Sequence, residues 1–153
     1  MILTHSSGQT DVSLDLLVEL VRAGLSDLLA LLDRDDPARG HHDVVKGEEV
    51  LAVAANCTRN PPDPSGHAEI IALRQAAEKL GRERLIDCDL YVTLEPCAMC
   101  AGAISHARIG KLYYAASDPK GGAVEHGSRV FEHPQALHKP EVYSGMGEAE
   151  AAE

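Results

Sequence analysis

His67-Ala68-Glu69 and, thirty residues on, Pro96-Cys97-Ala98-Met99-Cys100 decide how this chain is read. Each segment opens a run with helical character. After His67 comes A-E-I-I-A-L-R-Q-A-A-E-K-L, with apolar residues at helical spacing and Gly81 as a stop. After Pro96 come Cys97 to Ile104, mostly small residues that let a helix pack closely. Strand-like runs precede both. Val50 to Ala55 ends at Asn56, and Asp89-Leu90-Tyr91-Val92-Thr93-Leu94 delivers Glu95-Pro96 to the second helix.

One imidazole and two thiolates supply three of the four positions that a tetrahedral zinc prefers, and an open fourth position marks a catalytic site. A water bound there has its pKa lowered towards ~7. Cys97 and Cys100, three residues apart, share one face of a helical turn. A helix start also presents its positive dipole end, which favours thiolates. Glu69, two residues after His67, is not needed as a ligand. It is placed to take a proton from the water and pass it to a substrate and its leaving group. Read separately, C-x-x-C also fits a redox pair or half of a structural zinc site, and H-x-E recurs by chance. A fourth protein ligand such as His138 would close the site.

At 153 residues the chain reads as a single domain, 1–153, long enough for a core. Hydrophobic content of 44% and charged content of 25% are ordinary for a soluble globular protein. No apolar stretch reaches membrane-spanning length and no secretory leader pattern opens the chain, so no membrane partner and a cytoplasmic location are expected. Cys57 and Cys88, the cysteines not assigned to metal, then read as reduced, small, partly buried residues. The net charge of −10 argues against a broad basic footprint for nucleic acid, although a local basic groove would be hidden in that average.

Ahead of the motifs, Ser13 to Arg34 is helix-like with leucines on nearly every face, and residues 33–43 read as a charged loop. The His41-His42 pair within it invites a second metal site, but a solvated loop pair is the plainer reading. Val44-Val45, Lys46-Gly47-Glu48-Glu49 and Val50 to Ala55 read as a hairpin. Ile109 to Ala116 holds a further strand, and Glu141-Val142-Tyr143 a short one beyond a loop-rich stretch. Two successive strand–helix–strand units predict right-handed crossovers and parallel pairing. Both helix starts would then lie at the carboxyl ends of strands.

The combination H-x-E … P-C-x-x-C is the signature of zinc-dependent deaminases. From Asn56 onward the chain resembles the bacterial tRNA adenosine deaminase family, with a cytidine-deaminase-like fold. Tyr91 to Ile104 (Y-V-T-L-E-P-C-A-M-C-A-G-A-I), Ala107-Arg108-Ile109, Ala116 to Ala123 and His133-Pro134 follow that family's order without gaps. The resemblance implies a three-layer α/β/α sandwich around a mixed five-stranded sheet, and a homodimer. It implies one zinc per chain on His67, Cys97 and Cys100, with Glu69 as proton shuttle and hydroxide on the zinc attacking the base. The implied reaction converts the wobble adenosine of a tRNA anticodon stem-loop to inosine. Asn56, Ala68 and Asp118 match substrate-binding positions, Asn56 as the hydrogen-bonding partner of the flipped base and Asp118 in the loop near the nucleotide.

Two departures stand out. The family carries a G-E-V-P-V-G-A-V-like strand where this chain has Ala38 to Val45, and residues 1–43 are atypical throughout. The family's Phe- and Arg-rich C-terminal helix is also missing, so the chain reads as truncated. Residues 1–43 are expected to pack poorly and RNA binding to be weak. Two other readings remain: deamination of a free base or nucleoside of guanine, cytosine or adenine type, and a catalytically silent zinc-stabilised domain. The silent domain would be expected to have lost Glu69 or a ligand, and it has lost neither.

Overall fold

Residues 41–145 are described by the computed structural model. The helix expected over 13–34 and the chain's last residues, 146–153, lie outside that range. Five strands form one sheet: β1 (His41–Lys46), β2 (Glu49–Ala55), β3 (Asp89–Leu94), β4 (Lys111–Ala116) and β5 (Glu141–Ser144), in spatial order β2-β1-β3-β4-β5. Among the described residues two helices accompany it, α1 (Ala68–Leu80) and α2 (Ala98–Ala107), with a 3-10 turn at Val130–Glu132.

The sheet is mixed. β3 pairs in parallel with β4, and β4 with β5. β1 is antiparallel to both β2 and β3. The two strands that lead to the motifs therefore run the same way, but β1 lies between them, so of the two expected strand–helix–strand units only β3–α2–β4 pairs its strands directly. Local patterning cannot reveal this order, because a hairpin strand pairs with whichever neighbour buries its inner face.

Residues 41–43, expected in a loop, belong to β1. His42 pairs with Ala54 on one side and Val92 on the other. Pairing on both edges outweighs the polar composition of His41-His42-Asp43, and the strand's alternation turns His42 inward with Val44. Both are buried, and His42 so departs from the expectation that residues 1–43 pack poorly.

Val44, Ala52, Ala54, Leu90, Val92, Leu112 and Tyr114 line the inner face of the sheet and form one core with Ala72, Leu73 and Ala76 of α1 and Ala101 and Ile104 of α2. This is the sheet and one helical layer of a cytidine-deaminase-like sandwich. Tyr91, Tyr113 and Tyr143, in register across β3, β4 and β5, stack on the other face with ring centroids 4.6 and 4.8 Å apart.

Candidate active site

Both motifs sit where a strand hands over to a helix. His67 is the N-cap of α1 and Cys97 the N-cap of α2, each with extended backbone. Cys97 thus stands one step before the first turn rather than inside it. Cys100 follows in that turn and is buried. The first handover is a loop that closes on itself. The N–H of Cys57 donates to the carbonyl of Gly66 at 2.7 Å, and a Cβ on Gly66 would lie 2.2 Å from the Cys57 oxygen. Only glycine fits there.

The His67 Nδ1 lies 3.7 Å from the Cys97 Sγ and 3.5 Å from the Cys100 Sγ, and the three atoms fall within 4.8 Å of one another. Ligands on a tetrahedral zinc with ordinary Zn–N and Zn–S bonds stand about 3.6 Å apart, so the spacing fits one ion. The electrostatics agree. Burial, then the negative charges of Glu69 and Cys97, push the Cys100 thiol well above its usual range. A thiolate at so buried a position beside a carboxylate would need a cation, and a divalent ion would supply the compensating charge. His138, weighed as a fourth ligand, is engaged elsewhere. Its Nε2 lies 2.7 Å from the Ile109 carbonyl, and its N–H donates to the Ser105 hydroxyl.

Glu69 is buried in the first turn of α1, in reach of Cys100. Beside it is a residue that sequence reading missed. The His42 Nε2 stands 3.6 Å from a Glu69 carboxylate oxygen, with both side chains buried. Its signal was the two-residue alternation with Val44, masked by the charged surroundings. His42 belongs to no metal-capable cluster among the described residues.

Asn56 and Ala68 are joined. The Ala68 N–H, at the start of α1, donates to the Asn56 Oδ1 at 2.9 Å. The Asn56 side-chain NH2 remains available as a donor. Asp118 is turned into its own loop, where its Oδ1 accepts the N–H groups of Lys120 and Gly121. Its own N–H donates to Glu95, a second residue overlooked in the sequence. Burial would raise the Glu95 carboxyl, but hydrogen bonds from the backbone of His126, Asp118 and Glu125 together outweigh it and hold the group at about 2.

The model for MafB19-like deaminases matches residues 20–142. The chain belongs to that deaminase family. It is 55% identical over 121 residues to a tRNA-specific adenosine deaminase of Agrobacterium fabrum, covering 79% of each protein. A solved structure from biochemical and structural studies of A-to-I editing by tRNA:A34 deaminases at the wobble position matches with a TM-score of 0.79 and 48% identity. That match covers 88% of this chain and 97% of the other. Guanine deaminase from Bacillus subtilis is more distant, with TM-score 0.52 and 36% identity over 65% of this chain and 59% of the other. Within the family, then, the chain stands with the tRNA-specific adenosine deaminases.

Proposed function

We propose that this protein hydrolyses the wobble adenosine of a tRNA anticodon stem-loop to inosine, with release of ammonia. The observation that carries the reading is the cluster of His67, Cys97 and Cys100 with Glu69 buried against it, in a chain 55% identical to a tRNA-specific adenosine deaminase. His67, Cys97 and Cys100 would hold one zinc, which when bound supplies the charge that makes a water acidic near neutral pH.

Glu69 takes a proton from the attacking water, which adds to C6 of the base. The carboxyl passes that proton to the ring nitrogen, then takes the proton of the new C6 hydroxyl and gives it to the amine, which departs as ammonia. The buried setting excludes competing solvent and keeps the carboxylate aimed inward. Asn56 holds the start of α1 through Ala68 and presents its NH2 to the base edge. Asp118 borders the nucleotide from the loop after β4. A homodimer in the cytoplasm belongs to the same reading, on the strength of the family resemblance. No helix among the described residues is long and apolar enough to cross a membrane.

The test is a deamination assay on anticodon stem-loop RNA beside a panel of free bases and nucleosides. Inosine at the wobble position, with the panel unreacted, is expected. Turnover of guanine or cytosine with inert RNA would replace this reading with the small-substrate one.

A further inference from the structure

We propose that Glu95 is a positioning residue for the substrate-side loop: its carboxylate latches residues 118–126, Asp118 included, onto the turn that carries Cys97. The inference rests on the reading of Asp118 as a substrate-facing residue.

The Glu95 side chain is fully buried. Its Oε1 accepts the N–H groups of Val124, Glu125 and His126 at 3.0, 2.9 and 3.0 Å. Its Oε2 accepts the N–H of Asp118 at 3.0 Å and faces the His126 Nδ1 at 2.7 Å. One carboxylate thus collects donors from both ends of a loop lying 23 to 31 residues further along the chain. The next residue continues the fastening, for the Pro96 carbonyl accepts the N–H of Ala123 at 2.9 Å. Cys97 follows directly. Loop and ligand are therefore anchored on one three-residue stretch, the loop on Glu95 and Pro96 and the ligand at Cys97.

The chemistry demands a carboxylate. Both oxygens face N–H donors, so an amide at this position would point its NH2 at donors whichever way it turned. Gly122 records the same closeness. A Cβ there would lie 2.4 Å from the Glu95 carboxyl carbon and 2.6 Å from Oε2. A side chain at 122 would have to push the latch open.

Glu95→Gln and Gly122→Ala attack the latch from opposite sides, and His126→Ala removes only a half-exposed ring contact. Each is compared with wild type for zinc content, amide exchange across 118–126, and kcat and KM on anticodon stem-loop RNA. Zinc is expected to stay at one per chain while exchange quickens in Glu95→Gln and Gly122→Ala. KM in those two should rise by ~10-fold or more with kcat nearly unmoved, and His126→Ala should shift KM less. If Glu95→Gln fails to fold, the other two variants carry the comparison.

Faster exchange with unchanged KM would reduce the latch to a folding device and overturn the proposal. Zinc loss in step with the KM change would overturn it too, by assigning Glu95 to support of the metal. A wild-type chain inert on RNA would defeat the proposed substrate. The KM comparison then runs on whichever base or nucleoside reacts, where an unchanged KM defeats the latch alone. A wild type that turns over nothing defeats both.

Discussion

Between β2 and α1 the chain spends residues 56–67 on the handover, whereas between β3 and α2 it spends only Glu95, Pro96 and Cys97. The long junction is self-sufficient. Cys57 bonds back to Gly66, Ser65 to Asp63 through both its N–H and its hydroxyl, and Asn56 to Ala68. The short junction has no room to satisfy its own polar groups. It leans instead on residues 118–126, through Glu95 and the Pro96 carbonyl. One member of the candidate metal cluster is thus placed by local chain closure, and two by contacts with a distant segment. A site assembled this way separates faults in one junction from faults in the other.

The largest effect should come from removing one of the residues that would hold the metal. His67→Ala or Cys100→Ala is expected to abolish zinc retention and with it all turnover, since three protein ligands leave no spare donor. Metal analysis beside an activity assay checks this. Full zinc content in either variant would contradict the geometry.

A smaller effect should follow from damage to the long junction alone. Asn56→Ala removes the acceptor for the Ala68 N–H and the donor offered to the base edge, together worth ~1–3 kcal/mol. The expected outcome is lower kcat/KM with zinc retained, whereas Glu95→Gln should act through exchange in 118–126. An Asn56→Ala protein with unchanged kcat/KM would make Asn56 a turn residue only.

Thiol labelling should perturb least. Cys57, exposed in the long junction, should react at about pH 7 without loss of zinc. Cys88 is buried just ahead of β3, and burial, then the charge of Asp87, push its thiol up to about 11. It stays a neutral, unreactive thiol below that pH and should label only on unfolding. Mass spectrometry of the labelled protein distinguishes the two.

Much of this arrangement was legible because its causes are local. Ligand spacing, the apolar period after His67 and the stop at Gly81, which takes up the left-handed conformation at the end of α1, all lie within a few residues of one another. The boundaries of β3 coincide with the run of β-branched and aromatic residues from Asp89 to Leu94. What escaped depends on partners far along the chain. His42 looks like a loop residue until β1 is seated between β2 and β3, where its register turns it towards Glu69. Glu95 looks like an ordinary residue ahead of Pro96 until the loop after β4 folds over it.

The proposed reaction depends most directly on Glu69 as the proton carrier beside a metal held by His67, Cys97 and Cys100. Glu69→Gln keeps the shape of the side chain and removes the base. Zinc content should stay at one per chain while turnover of the anticodon stem-loop falls by at least ~100-fold. Near-normal inosine formation by the zinc-loaded variant would contradict that role.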